Sequence, residues 1–442
     1  MSTSIKPKLS FKAGLQLPPP MRSDVPGTWA YDTMSRRISN EIMPRIIEDN
    51  AEELTSPSSA LRAECLLVLR DLQASLDCGT SGVLRGICDA GPDVDVWNSC
   101  LSSIPEESRN WLNAPWVVSE FYFYRRVVEA FKYFETGYDM FQKQKVEGLL
   151  ASLPLVEEVA VHLEELGDSR VALEVAIATC LWGNKMDLSL WPTSKTSASV
   201  SQGCASSQES GQIAYGSSLE QIKSYILDDA THEVVDLLLR LQREGGEGPR
   251  EVGIIIDNAG YELVTDIILG HVLLQLGVAD QITFHTKAHP TFVSDAINED
   301  MAFTVGTLAN SPLASGRLGV TLEAYLADGR FRISSDLFWC QPTAMWDMPD
   351  EVMEKLCSSR MVFVKGDANY RRLLGERCWP LETPARDILA YWPVPVCALR
   401  TFKAQIGCGV SKEAQARAAE ADPNWMVSGR WGVVQLGGGT DE

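Results

Sequence analysis

The chain has 442 residues, 45% of them apolar and 22% charged, a composition typical of a globular protein too long for one small core. A net charge of -20 argues against nucleic acid or an anionic membrane as a partner, because both require basic patches, although a metal ion and local cations can still hold an anionic substrate. The 11 cysteines are irregularly spaced without a C-x-x-C pair, so we expect the reduced thiols of an intracellular protein rather than a disulfide framework or a zinc site. The expected location is the cytoplasm, with the nucleus as an additional alternative.

The first half of the chain is predicted to be helical. Residues 1–30 contain Pro18-Pro19-Pro20, which predicts an extended lead-in. They contain no apolar h-region, so we expect no signal peptide. No later apolar run is long enough to span a membrane. Residues 31–180 carry apolar side chains at three- and four-residue spacing, which predicts an α-helical domain. Within it, the stretch 111–126 mixes aromatic and charged residues. Such a stretch can line a pocket, but we favour a domain interface because that packing is more usual.

Residues 181–442 are predicted to form a second domain. Near its start, Asn184-Lys185-Met186-Asp187 spells the N-K-x-D string of GTPases, but no G-x-x-x-x-G-K-[ST] loop accompanies it, so that interpretation fails. Residues 193–213 are rich in Ser, Thr, Gly and Gln without periodicity, which predicts a flexible surface loop.

The most informative stretch begins at Val252. The apolar run 252–256 predicts a strand buried on both faces, and it is followed by Asp257-Asn258, a turn and a helical pattern. Ligands of open α/β sheets bind outside the carboxyl ends of the strands, where an acid and an amide offer the oxygen ligands that Mg or Mn prefers. The alternative is that Asp257 merely caps the helix.

Strand–helix alternation follows, which indicates a doubly wound parallel sheet after residue 250. The predicted strands are 252–256, 281–285, 361–364 and 394–399, with helical patterns that include 320–327 and 350–358.

Each predicted strand is followed by polar residues. These are Asp257-Asn258, then Lys287 with Ser294-Asp295, then Lys365 to Arg371 with Gly366, and finally Arg400 to Lys403. Parallel strands would gather the four segments at one edge, where carboxylates bind a hard metal and Arg and Lys hold an anion such as phosphate.

Other catalytic patterns are weak or missing. His285 and His289 have helical metal-site spacing, but the preceding strand and Pro290 favour a loop histidine instead. The sequence contains no G-x-S-x-G, H-E-x-x-H or G-x-G-x-x-G motif, so serine hydrolases, zincins and simple dinucleotide enzymes lose support.

These segments resemble the damage-control phosphatases, a metal-dependent family once called domain of unknown function 89. The resemblance rests on Asp257-Asn258-x-Gly260-Tyr261-Glu262, Lys287-x-x-Pro290-x-Phe292-Val293-Ser294-Asp295, Phe338-x-x-x-Pro342-x-x-x-Trp346, Lys365-Gly366-Asp367-x-Asn369-Tyr370-Arg371 and Arg400-Thr401-x-Lys403. The R-T-x-K string, Leu181-Trp182-Gly183-Asn184 and Ala114-Pro115-Trp116 are similar to the branch of sugar-phosphate phosphatases also named acidic-residue methyltransferases. The resemblance covers about residues 30–410 in order.

The resemblance implies a three-layer α/β/α sandwich with a mainly parallel sheet behind the helical domain. It implies a divalent metal, Mn, Co, Ni or Mg, held by Asp257, Asn258 and Asp295. These three residues, with Arg400 and Lys403, would also be the catalytic residues. It further implies contacts to a small phosphorylated substrate, in which Arg400 and Lys403 also take part, from Glu262, Asp367, Asn369, Tyr370, Arg371 and Asn184. The oligomeric state is left open.

Several neighbours of these motifs depart from the family pattern. Thr291 stands where Trp is usual before Phe292, Ala368 replaces a larger apolar residue, and Gln405 replaces an acid. Cys340-Gln341 likewise replaces a more polar pair. The reaction chemistry is therefore expected to be that of the family, whereas the substrate is open and includes a non-sugar metabolite.

The hypothesis from the sequence is metal-assisted hydrolysis of a phosphomonoester. Lys403, with Arg400 or Arg371, would neutralise the developing charge, and Asp257 or Asp295 would orient a water molecule or attack directly. The alternatives are methyl transfer from S-adenosylmethionine to protein carboxyl groups, for which no glycine-rich nucleotide loop is found, and a non-catalytic metabolite-binding protein.

Overall fold

The computed structural model describes residues 11–12, 14–55, 62–163, 167–183, 222–243 and 248–439. Asn184, the predicted loop 193–213 and residues 1–10 of the lead-in lie outside these ranges.

The strands of the described chain form a single seven-stranded sheet in the order β1-β7-β6-β5-β2-β3-β4. The bounds are β1 Ile226–Asp229, β2 Glu251–Ile255, β3 Gln281–Lys287, β4 Phe331–Asp336, β5 Met361–Lys365, β6 Pro395–Thr401 and β7 Gly432–Gly438. All neighbours pair in parallel except β6 and β7, so the predicted mainly parallel sheet is confirmed. The chain runs outward from β2 through β3 and β4, then returns to the other side of β2 for β5. The strand order therefore reverses beside β2.

The predicted strands correspond to β2, β3, β5 and β6, and three strands were not anticipated. β1 precedes residue 250, which corrects the prediction that the sheet starts after that point. β4 follows the predicted helix and is only partly buried, and β7 is rich in glycine, so neither shows a continuous apolar run.

Helices surround the sheet. The first half contains Trp29–Asp32, Met43–Asp49, Ala51–Thr55, Arg62–Asp77, Val94–Ser102, Trp116–Ala130, Tyr133–Thr136, Gln142–Leu163 and Ser169–Trp182, with a π-helix at Thr33–Ile42. The second half contains Thr231–Arg243, Tyr261–Gln275, Asn298–Ala309, Ala314–Asp328, Asp350–Cys357, Asp367–Leu373, Ala385–Leu389 and Lys412–Ala421. Short 3-10 helices lie at Gly79–Ser81, Glu106–Ser108, Leu337–Cys340 and Met345–Asp347. Within the described ranges, no helix combines the length and apolar character that crossing a bilayer requires.

Two hydrophobic cores lie on opposite faces of the sheet, because successive side chains of a strand point to opposite sides. Ile255 of β2 belongs to the core shared with helix Trp116–Ala130, whereas Ile254 and Ile256 belong to the core shared with helix Tyr261–Gln275. The sheet is thus the middle of three layers, as predicted.

The helices Gln142–Leu163 and Ser169–Trp182 pack in the second core, with helix Tyr261–Gln275. The layer that covers this face of the sheet therefore begins near residue 142, and packing runs across the predicted domain boundary at residue 181. Periodicity identifies the apolar face of a helix but not the core that receives it.

The described part of the lead-in is docked along the surface of the protein. Pro20 bridges to Arg377, Arg22 bridges to Pro115, and the amide of Trp116 donates to the carbonyl of Met21 at 2.9 Å. The described part of the lead-in is extended, as the prolines predict. Its contacts with Pro115 and Trp116 in the first half of the chain and with Arg377 in the second half hold it against the protein.

Candidate active site

A cavity of about 660 Å³ opens at the carboxyl ends of the central strands. The residues that line it from the segments after the strands are Asp257, Asn258, Ser294, Asp295, Asp367, Arg371 and Lys403. This is the point beside β2 where the strand order reverses, which is where open α/β sheets bind their ligands. Parallel pairing therefore brings the four polar segments together, as expected from the sequence.

Backbone hydrogen bonds join the segment after β2 to the loop after β3. The amide of Ala259 donates to the carbonyl of Ser294 at 2.7 Å, and the amide of Ala296 donates to the carbonyl of Asp257 at 2.8 Å. Asn258 and Asp295 form an isolated antiparallel bridge between these bonds. Three predicted metal ligands are thus held next to one another by main-chain contacts.

The two carboxylates at this point are almost completely buried. Asp257 is 4% exposed and Asp295 is 3% exposed. Burial raises the pKa of Asp257 well above its ordinary range, and the nearby Asp295 carboxylate raises it further. Burial likewise raises the pKa of Asp295. A cation beside these two buried carboxyl groups would stabilise their ionised form.

One cation of the chain already lies there. The ammonium of Lys287, itself 1% exposed, is 3.0 Å from Asp295 Oδ2 and 4.0 Å from Asp257 Oδ1. Although burial opposes it, the two carboxylates raise the pKa of Lys287. Lys287 therefore compensates part of the negative charge of the pair.

The donor atoms fit a hard divalent metal. Asp257 Oδ1 is buried without a hydrogen-bond partner among the described residues, and the contact that the structure gives Asp295 Oδ2 is the Lys287 ammonium at 3.0 Å. Asn258 Oδ1 accepts a hydrogen bond from the Ser294 hydroxyl at 2.5 Å, and an amide oxygen has room for a second ligand. In the described ranges no group of three or more His, Cys, Asp and Glu side chains is arranged for a metal, so a site here would use two carboxylates and one amide.

Glu262 lies behind these ligands rather than along the cavity wall. Its carboxylate accepts from Asn258 Nδ2 at 2.7 Å and from Lys365 Nζ at 3.3 Å. Burial opposes the shift, but Lys365 and then Lys403 lower the pKa of Glu262. Lys365 is also 2.8 Å from Asp266. Glu262 is thus placed to orient the Asn258 amide.

Arg371 and Lys403 bring positive charge to the cavity. The guanidinium of Arg371 lies 3.8 Å from the centroid of the Trp116 ring and pairs with Glu120 at 2.6 Å and Glu376 at 2.5 Å. Among the described residues Lys403 has no ion-pair partner, although it lines the same cavity. Lys403 is therefore the cation that is available to an incoming anion.

Arg400 supports the segment that carries Lys403. Its guanidinium donates to Asp367 at 2.8 Å and to the carbonyl oxygens of Ala404 at 2.9 Å and Ile406 at 2.5 Å. It is 1% exposed and does not appear along the cavity wall. These bonds fix the loop around Lys403 and orient the Asp367 carboxylate.

Asn369 and Tyr370 also lie within the walls. Asn369 Nδ2 donates to the carbonyl oxygens of Ile256 and Lys365, each at 3.0 Å, and so connects the ends of β2 and β5. The Tyr370 hydroxyl donates to Gln435 at 2.7 Å. The predicted substrate contacts of these two residues, and of Glu262 and Arg400, stay predictions. In this structure their side chains hold other groups in place.

The two histidines occupy different elements. His285 lies in β3 and His289 in the loop that follows, so they do not share a helix face. Nε2 of His289 is 3.6 Å from Asp93, away from the cavity-lining residues.

Sequence reasoning missed one wall of the cavity. Trp116, Glu120 and Tyr124 are spaced four apart on helix Trp116–Ala130 and all line it. This face of the helix also contacts Arg371 and Phe292 of the predicted second domain, so it is a domain interface, as favoured, and at the same time lines a pocket, which was the alternative. The four-residue spacing of these three side chains is the feature of the sequence that could have indicated a shared face of the helix.

The segment before residue 50 supplies a further wall. Trp29, Arg37, Glu41 and Arg45 line the cavity, and the Arg37 guanidinium lies 4.3 Å from the centroid of the Trp29 ring. The amide of Trp29 donates to Gln405 Oε1 at 2.9 Å. This contact connects the N-terminal helices to the loop that carries Lys403.

Comparisons with known proteins give the family of this chain. The family model described as "Damage-control phosphatase ARMT1-like domain" matches residues 34–418. Proteins named damage-control phosphatase ARMT1 are similar along the chain. That of Xenopus laevis is 30% identical, with 93% of this chain and 96% of that protein covered. That of Rattus norvegicus is 31% identical, with coverages of 93% and 97%, and that of Homo sapiens is 31% identical, with coverages of 78% and 81%. A crystal structure of a DUF89 family protein from Pyrococcus horikoshii has a TM-score of 0.39 at 14% identity, covering 83% of this chain and 92% of that one.

Proposed function

Because this chain belongs to the damage-control phosphatase ARMT1-like family, we propose that it hydrolyses phosphate monoesters of small metabolites, sugar phosphates foremost, with a divalent metal ion. The observation that supports the proposal best is the cavity itself. Three oxygen-bearing side chains, Asp257, Asn258 and Asp295, line the same space as Lys403, which has no ion-pair partner among the residues that the structure describes. Hard oxygen ligands beside a cation are what a phosphate ester requires.

In this proposal Asp257, Asn258 and Asp295 hold the metal, which is Mn, Co, Ni or Mg. When bound, such an ion would polarise a phosphoryl oxygen and reduce the negative charge that opposes attack. The Glu262 carboxylate fixes the orientation of the Asn258 amide. The Lys287 ammonium offsets part of the negative charge of Asp257 and Asp295 when no metal ion is bound beside them.

Lys403 neutralises the charge that develops on the phosphoryl group, and Arg371 adds a second cation to the same wall. Since Arg371 already faces Glu120 and Glu376, its net contribution is smaller than that of Lys403. Arg400 acts through Asp367 and the carbonyl oxygens of the loop, so we assign it a positioning role rather than direct contact.

The nucleophile is either a water molecule oriented by Asp257 or Asp295, or one of these carboxylates. Acid quenching of a single turnover with a ³²P-labelled ester distinguishes the two routes. Attack by a carboxylate releases the alcohol and leaves the phosphoryl group on the protein until water hydrolyses it, whereas direct water attack never labels the protein.

The function is tested with a panel of sugar phosphates and other phosphate esters. The protein is freed of metal by chelation and then assayed with Mn²⁺, Co²⁺, Ni²⁺ or Mg²⁺, and a parallel reaction contains labelled S-adenosylmethionine and protein acceptors. We expect phosphate release that depends on the added metal. Full release by metal-free protein, or methyl transfer without any phosphate release, would contradict the proposal.

A further inference from the structure

Helix Trp116–Ala130 presents a row of three side chains to the cavity, and two of them are paired with Arg371. The Trp116 ring lies against its guanidinium, and the Glu120 carboxylate forms an ion pair with it at 2.6 Å. The third side chain of the row is Tyr124, which is 4% exposed.

The hydroxyl of Tyr124, in contrast to the Glu120 carboxylate, has no hydrogen-bond partner within the described part of the protein. Since Tyr124 lines the cavity, the partner that its hydroxyl lacks can be supplied by a molecule bound there.

The ring of Tyr124 is held firmly in this orientation. Its centroid is 4.6 Å from the ring of Phe292, 4.9 Å from that of Phe123 and 6.2 Å from that of Phe141. Phe292 has a φ of +52°, an unfavourable backbone conformation for a bulky residue. Strain of this kind persists at sites that fix a functional geometry, so the hydroxyl is preorganised by packing.

The surroundings also define the hydrogen-bonding role of the hydroxyl. Burial raises the pKa of Tyr124, and the carboxylates of Glu120 and then Asp295 raise it further, against the influence of Arg37 and Arg371. The phenol therefore stays protonated at neutral pH and is able to donate its proton to an anionic acceptor. Tyr124 lines the same cavity as the proposed metal ligands.

We propose that the Tyr124 hydroxyl donates a hydrogen bond to a phosphoryl oxygen of the bound phosphate ester, so that Tyr124 is a substrate-binding residue. This assignment rests on the phosphatase function proposed above. It gives the helical layer a direct part in substrate binding, opposite the groups that the strand ends supply.

The test is the Tyr124→Phe variant, which keeps the packed ring and removes only the hydroxyl. The control is Tyr261→Phe, since the Tyr261 hydroxyl likewise has no partner in the described structure but is buried and does not line the cavity. Three quantities are measured for each protein. They are kcat and KM for the best ester of the panel, the affinity for inorganic phosphate by calorimetry with Mn²⁺ present, and the melting temperature.

For Tyr124→Phe we expect kcat/KM and phosphate affinity to fall about 10-fold or more, the scale for a hydrogen bond to a charged group. The melting temperature should be equal to that of the wild type, because the ring stays packed and no hydrogen bond within the described protein is removed. Tyr261→Phe should change neither kinetic constant.

Wild-type kcat/KM and phosphate affinity in Tyr124→Phe would overturn the assignment. So would an equal loss in both variants together with lower melting temperatures, which would indicate a structural role. If the wild type binds phosphate but hydrolyses no ester, the proposed function fails while the phosphate titration still decides the role of Tyr124. If the wild type binds no phosphate, the assignment fails as well.

Discussion

Gly366 passes so close to Asp257 that a Cβ atom at residue 366 would overlap the Asp257 carboxylate. Gly366 follows β5 with a φ of +82°, and Asp257 follows β2, so the contact fixes the spacing of two neighbouring strand ends. A residue without a side chain is needed here both for the backbone conformation and for the approach.

Gly366→Ala should therefore abolish phosphate release and lower the melting temperature. The positive φ alone costs about 1 kcal/mol or more in an alanine, and the overlap additionally displaces a proposed metal ligand. The control is Gly329→Ala, because Gly329 has a φ of +81° but nothing within 4 Å of its Cβ position. Equal losses of stability and activity in both variants would contradict a specific role of the Gly366–Asp257 contact.

Asp257→Ala should remove both metal binding and turnover. If Asp257 is a ligand, Mn²⁺ will raise the melting temperature of the wild type, because it binds only the folded site, and will leave that of the variant unchanged. The alternative that Asp257 caps the following helix is wrong, because the N-cap of helix Tyr261–Gln275 is Gly260. Calorimetric Mn²⁺ titration of both proteins tests the ligand role, and unchanged Mn²⁺ affinity in the variant would exclude it.

Lys403→Ala should slow the chemical step while leaving Mn²⁺ affinity nearly intact. Loss of one charge-stabilising group typically reduces kcat by about 100-fold, roughly 3 kcal/mol. Lys355→Ala is the control, since Lys355 is an exposed lysine that pairs with Asp336 at 3.2 Å outside the cavity wall. Steady-state kinetics decide the question, and wild-type turnover in Lys403→Ala would remove the phosphate-binding role.

Glu376 should make stability depend on pH. Burial raises its pKa from an ordinary 4.5 to about 8, against the effect of Arg371, which it shares with Glu120. Between these values the folded state keeps a proton that the unfolded state has released. The free energy of unfolding should therefore decrease as pH rises, by up to about 1.4 kcal/mol per pH unit.

The Glu376→Gln variant resembles the protonated acid at every pH and should lack this component. Urea unfolding at pH 5, 6, 7 and 8 measures the free energy of unfolding of both proteins. The difference between wild type and variant should grow in favour of the variant as pH rises. A constant difference across that range would mean that Glu376 is already ionised in the folded protein.

The sequence by itself determined the central strands and the groups that follow them. Continuous apolar runs such as 252–256 and 361–364 are distinctive because strands buried on both faces need no alternation, and a parallel sheet then places Asp257, Asp295, Asp367 and Lys403 at one edge. The short β1 and the glycine-rich β7 were not predicted, because they lack such a run. They form strands because they pair with neighbouring strands in the sheet.

Only the tertiary structure decided which of the predicted residues face the cavity. Arg400, Asn369 and Glu262 belong to the same motifs as Lys403 and Asp257, yet their side chains form hydrogen bonds with neighbouring carbonyl oxygens and amides. The wall formed by Trp116, Glu120 and Tyr124 likewise depends on how one helix is rotated against the sheet. The spacing of residues along a chain fixes the face of a helix or strand on which they lie, but the partner of that face is chosen by packing between elements far apart in sequence.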